Sequence, residues 1–301
     1  MRRSPPAGDL GTAPGCQRSG LRKALAQANM RRMPDLDVAT LDARLANVFT
    51  GDGISLAVEF EDGVLDVVAT ARAFGLSAPH DMDDLLQNGL GAQVRAVIDA
   101  ASERREEAML IGADAVRFAP LVTRPEKIIC VGFNYRKHAE ETGTPVPKQP
   151  PLFGKFNNAL NHHGGTIALP TGIDDRFDFE TELVIVFGRE CRGASEADAL
   201  DYVAGYAVGN DFSARRMQTA TTQFMAGKVS DGFAPVGPWL ATRDRIPDPN
   251  NLWLRTVVNG DTRQDWRTND MIFTCRQLIA FCSSIATIRP GDILFTGTPQ
   301  G

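Results

Sequence analysis

Asp178-Phe-Glu-Thr-Glu-Leu-Val-Ile-Val-Phe-Gly188 alternates as a β-strand does. Asp178, Glu180, Glu182, Val184 and Val186 fall on one face; Phe179, Thr181, Leu183, Ile185 and Phe187 fall on the other. Both faces of the later half are apolar, so the stretch reads as a strand running through a core. Three carboxylates share one face, neighbours roughly 7 Å apart by strand rise. Like charges held this close in a partly buried setting repel unless a cation lies between them. Two readings stay open at this point: solvated acids at the start of a strand, or a metal site.

Downstream, Gly193–Val203 predicts a helix with Ser195 as its N-cap. Ala204–Gly209 predicts a second strand that ends on Asn210-Asp211 and returns Asp211 beside Glu180 and Glu182. Asp211, Arg215 and Gln218 are spaced i, i+4, i+7, one face of a helix continuing from that strand. Gly227–Trp239 is a loop rich in Gly and Pro that carries Lys228. A hairpin follows, turning at Asn259-Gly260, then an amphipathic helix over Met271–Ser284 and a strand at Ile293–Thr296.

Upstream, Lys127–Gly132 is a buried-type strand, followed by a short helix over Phe133–Glu141. On it His138 and Glu141 lie three residues apart on one face. A histidine oriented by a carboxylate is what general-base chemistry needs, although such pairs are common on surfaces. Leu152–Phe156 predicts a strand with Lys155 between aromatic residues, and His162-His163 reads as a pair of loop histidines. Strands at Leu45–Phe49 and Ile54–Phe60 and helices at Val67–Phe74, Met82–Asn88 and Gln93–Met109 predict a small α/β unit before a boundary near Pro120–Pro125. Residues 1–33 set seven Lys and Arg against the single acid Asp9, amid Pro and Gly. That is the composition of a transit peptide, a disordered tail or an early start codon, and the disordered extension is the preferred reading. Taken to residue 43, this leader precedes an N-terminal domain over 44–120 and a main domain over 121–301.

A net charge of −5 and the lack of a basic stripe argue against nucleic acid as a partner. No apolar run is long enough to span a membrane. Five scattered cysteines with no C-x-x-C pair favour reduced thiols and a cytoplasmic protein.

Val131-Gly-Phe-Asn-Tyr with His138 and Glu141 is followed by Asp178-Phe-Glu-Thr-Glu182 and by Gly205–Arg215 with Gln218. Gly227-Lys228 before Asp231-Gly-Phe, and Thr296-Gly-Thr-Pro299, complete the set. In this order and spacing these segments resemble the fumarylacetoacetate hydrolase family. The resemblance is close over 121–301, and 44–120 is similar to the small N-terminal domain of bacterial members. It implies an α+β, strand-rich fold: a mixed β-roll or sandwich behind a small α/β domain. It also implies a metal site of Glu180, Glu182 and Asp211, whose oxygen donors suit Mg²⁺ or Mn²⁺, with Ca²⁺ also occurring in the family. The segment carrying His138 and Glu141 would be a lid. Lys228 would stabilise a developing enolate, Arg215 and Gln218 would orient a substrate carboxylate, and Lys155, Tyr135 and Thr298 would contact substrate.

The activity implied is metal-dependent hydrolysis of a C–C bond in an acylpyruvate or similar β-diketo acid. An isomerase or decarboxylase of hydroxymuconate-type dicarboxylates in aromatic breakdown is the alternative, and extra basic residues in the pocket would favour it. A homodimer is expected. The family pattern usually continues past Thr-Gly-Thr-Pro, so a shortened catalytic domain, and with it an inactive metal-binding remnant, is a further expectation. The stretch between Gln218 and Lys228 is short for the family, which would narrow the pocket.

Overall fold

A computed structural model of the protein describes residues 37–61 and 63–301. The expected leader falls, for residues 1–36, outside the described residues. Residues 37–43 are packed: Val38, Ala39 and Leu41 are buried, and Asp37 caps a short 3-10 turn, Val38–Thr40.

A mixed ten-stranded sheet organises the chain. Its strands are β1 (Arg44–Thr50), β2 (Gly53–Phe60), β3 (Gly63–Asp66), β4 (Leu110–Gly112), β5 (Ile128–Val131) and β6 (Leu152–Lys155). They continue as β7 (Thr181–Phe187), β8 (Val203–Asn210), β9 (Leu240–Thr242) and β10 (Ile293–Phe295). The spatial order is β4-β3-β2-β1-β9-β8-β7-β10-β5-β6. All neighbours are antiparallel except β10 and β5. The N-terminal strands thus extend the same sheet that carries the acidic stretch, through the β1–β9 pairing.

Strand β7 is buried along its whole length, and its period of two serves two cores. Val184 and Val186 pack with α2 (Met82–Asn88) and α3 (Gly91–Glu103), through Met82, Leu85, Val94 and Val97. Leu183, Ile185 and Phe187 pack under α6 (Cys275–Ile285), against Cys275, Leu278, Ile279 and Cys282. Burial of each larger side chain is worth about 1.5–3 kcal/mol, which fixes the register of β7 between the layers. Thr274 begins α6 with a reciprocal capping box to Gln277. The cysteines among the described residues are buried and free.

The first two helices, α1 (Val67–Phe74) and α2, form as the sequence predicts. The hairpin also forms, as strands Trp253–Val258 and Asp261–Arg267. Its turn residues Asn259 and Gly260 both have positive φ, which explains the Asn-Gly pair. Two expectations are corrected. Gly193–Val203 yields only a 3-10 turn, Ala199–Tyr202, and Ser195 bonds Asp198 without capping an α-helix. The strands it joins are adjacent and antiparallel, so no crossover helix is needed. No helix continues from β8 either. A short strand, Ser213–Ala214, pairs with Phe177–Asp178, and α5 begins only at Arg215 (Arg215–Thr219).

Candidate metal centre

The register of β7 against β8 builds the site. Thr181 lies opposite Asn210 and Glu182 opposite Gly209, so Glu180 and Asp211 sit side by side just beyond the ladder. The Asp211 amide donates to the Glu180 carbonyl at 2.9 Å, and the Glu180 amide to Asn210 Oδ1 at 2.9 Å. Carboxylate oxygens of Glu180, Glu182 and Asp211 all lie within 4.8 Å of one another, and all three residues are buried. Asp178, on the same face by alternation, bonds Arg215 instead; it belongs to the separate short pairing with Ser213–Ala214, and the pairing with β8 starts only at Thr181.

The neighbouring charges are divided unequally. Lys228 Nζ, itself buried, donates to Glu180 Oε2 at 2.6 Å and to Asp211 Oδ2 at 2.7 Å. Lys155 Nζ lies 2.7 Å from Asp211 Oδ1 and donates to the carbonyls of Phe212, Lys228 and Phe233. Arg215 meets Glu180 Oε1 at 2.6 Å and Asp178 Oδ2 at 2.6 Å, and donates to Gln218 Oε1 at 2.8 Å. Glu182 is in none of these ion pairs; its Oε2 accepts from the Gly297 amide at 2.6 Å. Burial, then the Asp211 and Glu180 carboxylates, push the Glu182 carboxyl well above the usual range. Burial would raise Asp211 too, but the Lys155 and Lys228 ammonium groups hold it below its ordinary value. With every acid counted as ionised, as a bound cation would favour, Asp178, Glu180, Glu182 and Asp211 against Lys155, Lys228 and Arg215 leave a formal net charge of −1. Three buried oxygen donors, one of them without a cation, fit a hard divalent ion.

Gly297 is required where it stands. Its φ is +98°, and a Cβ there would come within 2.7 Å of Asn134 Cβ. Gly297→Ala is expected to cost about 1–3 kcal/mol in chemical denaturation and to weaken metal binding through Glu182. An unchanged denaturation midpoint would remove this account of the loop.

A small, partly open cavity lies over the carboxylates. His138, Arg215, Gln218, Lys228 and Thr298 line it together with the three acids. His138 lies on α4 (Arg136–Thr142), with Nδ1 3.4 Å from Glu141 Oε2 and no hydrogen bond between them. Gly143, at positive φ, ends α4 by returning its amide to the carbonyls of Ala139 and Glu140.

Two residues expected to touch substrate lie outside the cavity wall. Lys155 is buried beneath Asp211, and Tyr135 is buried in the core under α6. Sequence reasoning missed Gln264, which accepts from the Thr181 amide at 3.0 Å and donates to Thr298 Oγ1 at 2.8 Å. It also missed the roles of Asn210 and the Gly297 amide. Asn210 was visible beside Asp211; a backbone donor leaves no side-chain signal.

A family model for the C-terminal part of fumarylacetoacetate hydrolase matches residues 127–301, and the chain belongs to the fumarylacetoacetate hydrolase family. A Burkholderia multivorans protein named only as a hydrolase is 41% identical over 240 residues, 79% of this chain and 82% of that one. Maleylpyruvate hydrolase from Sphingobium sp. SYK-6, solved with manganese(II) and pyruvate, is 32% identical with a TM-score of 0.70 over 86% of this chain and 89% of that one. A 5-carboxymethyl-2-hydroxymuconate delta-isomerase from Mycobacterium smegmatis is 31% identical with a TM-score of 0.65, covering 86% and 88%. The chain is an enzyme of this family, with the family's mixed, strand-rich fold. Among its described residues no helix is long and apolar enough to cross a membrane.

Proposed function

We propose that the protein is a divalent-metal-dependent hydrolase that cleaves acylpyruvate-type β-diketo acids, with Mg²⁺ or Mn²⁺ held by Glu180, Glu182 and Asp211. The carrying observation is that these three buried carboxylates and His138 line one cavity. The manganese and pyruvate of the Sphingobium relative support it. A metal bound there would supply a Lewis acid for the enolate that forms as the C–C bond breaks.

The remaining steps belong to the chain's own residues. Arg215 and Gln218 orient the carboxylate beside the 2-oxo group. His138 takes a proton from water at Nε2, while Glu141 faces Nδ1 and steadies the imidazolium. The long separation of this pair is of the kind that tightens when substrate orders a lid. Water oxygen bonds to the distal carbonyl carbon, and the bond from that carbon to the CH₂ breaks with its electron pair going to the CH₂ carbon. Lys228 Nζ stabilises the enolate negative charge, and protonation of that carbon gives pyruvate and the free acid. Lys155 acts through Asp211 by positioning it.

Release of pyruvate from an acylpyruvate, lost on chelation and restored by Mn²⁺ or Mg²⁺, is the expected result. Full activity in the chelated protein would refute the metal-dependent reading. The isomerase likeness supports a second reading, which predicts double-bond migration in a hydroxymuconate-type dicarboxylate without pyruvate release. The protein is further proposed to be a cytoplasmic homodimer. The exposed apolar side chains Val208, Trp253 and Val257 offer a face for a second copy, and light scattering at the monomer mass would exclude it.

A further inference from the structure

The cavity wall carries two kinds of side chain. Among the described residues, Arg215 and Lys228 are the Lys and Arg side chains on the wall. Both touch the acids, Arg215 at Asp178 and Glu180, Lys228 at Glu180 and Asp211, and under the diketo-acid reading both already serve the 2-oxo-acid head of the substrate. Gln218 and Thr298 add only uncharged polar groups.

The other kind is aromatic and borders the charged side chains, with Lys228 Nζ 5.1 Å from the Phe153 ring centroid. Phe133, Phe153 and Phe224 supply it, each half-buried. Phe224 meets Phe133 and Phe153 edge-on, with ring centroids 5.9 Å apart in each pair. Phe224 is seated against Gly132, where a Cβ would stand 3.4 Å from its ring. Phe133 has a φ of +51°, a left-handed conformation that is strained for a bulky residue. Its ring stacks on His138 with centroids 6.3 Å apart. The packing holds that strained backbone where its ring faces the cavity.

We infer that the substrate carries a single carboxylate, the one beside its 2-oxo group, and that its far end is an uncharged apolar acyl group held among Phe133, Phe153 and Phe224. This rests on the diketo-acid reading above and narrows it. Charge supports the same choice. A divalent ion turns the site's net −1 into +1, and one substrate carboxylate then brings it to neutrality. A second carboxylate would be a charge set against three aromatic rings, and the ammonium beside them, Lys228, is already held by Glu180 and Asp211.

The test compares two ligands that share a 2-oxo-acid head, 2-oxo-4-phenylbutanoate and 2-oxoglutarate. Each is titrated calorimetrically into the full chain loaded with Mn²⁺ at pH 8. The phenyl ligand is expected to bind tighter by on the order of tenfold or more. Phe224→Ala should lose most of that preference and leave pyruvate affinity within about twofold. Equal or tighter binding of 2-oxoglutarate, or an unchanged ratio in Phe224→Ala, overturns the inference. Pyruvate release from benzoylpyruvate and from fumarylpyruvate is measured alongside. Reversed binding preference with release from fumarylpyruvate refutes the apolar tail and leaves the hydrolase reading standing. Preferred phenyl binding with release from neither compound refutes the hydrolase reading and leaves the apolar subsite.

Discussion

Glu182→Gln is expected to remove the stabilisation that Mn²⁺ gives the protein while leaving the metal-free protein no less stable than the parent. The reason is the isolation of this carboxyl. Its cluster partners each touch a cationic side chain, whereas Glu182 has only the Gly297 amide. Burial and two neighbouring carboxylates already penalise its charged form. A glutamine carbonyl can accept the same amide bond without charge, so the metal-free fold loses nothing that it relied on. Metal binding does lose an anionic ligand. With Mn²⁺ at a hundredfold its dissociation constant, the parent gains about 2.7 kcal/mol, and the variant should gain less than half of that. Turnover of an acylpyruvate should fall by about 10²–10³-fold. Thermal unfolding with and without Mn²⁺, repeated with oxalate as an enolate mimic, checks both signs. A variant destabilised by more than about 2 kcal/mol without metal would make Glu182 a structural residue first.

How much of this site was legible in the sequence depends on the kind of signal each part leaves. The core strand was readable because alternation is a local property, and β7 needs both faces buried to sit between α6 and the helices α2 and α3. Glu180 and Glu182 were readable for the same reason. Asp211 was expected beside them from a strand–helix–strand order; it lies there because an antiparallel ladder, with only a 3-10 turn between its strands, returns it to Glu180. The expected Gly193–Val203 helix failed because adjacent antiparallel strands need only a turn between them. Lys155 was visible as a lysine among aromatics, but its burial beneath Asp211 depends on three carbonyls from distant segments. Phe133 is the clearest limit: its positive φ is imposed by tertiary packing, and no residue type announces it. The pairing of Gln264 with Thr181 and Thr298 likewise exists only once the hairpin docks on β7.

Lys228→Met should give the opposite pattern to Glu182→Gln, and the contrast tests the charge arrangement itself. Lys228 is fully buried and hydrogen-bonds Glu180 and Asp211 at 2.6 and 2.7 Å. The two carboxylates raise its pKa despite burial, so it is held as a cation. Its removal takes the cluster from a net −1 to −2 in a desolvated place. Breaking a buried ion pair typically costs about 3–5 kcal/mol. The lower end applies here, because Asp211 keeps Lys155 and Glu180 keeps Arg215. The metal-free variant should therefore unfold well before the parent. Added Mn²⁺ should then stabilise the variant more than it stabilises the parent, since a divalent cation relieves a larger excess of negative charge. Turnover should nevertheless stay about 10²–10³-fold low at saturating metal, because the ammonium that faces the enolate is gone. Calorimetric unfolding across a Mn²⁺ titration separates these effects. A smaller metal response in Lys228→Met than in the parent would mean that the lysine helps the ion to bind. The acids would then not be the source of the site's affinity, and the assignment of Glu180, Glu182 and Asp211 as the ligand set would have to be withdrawn.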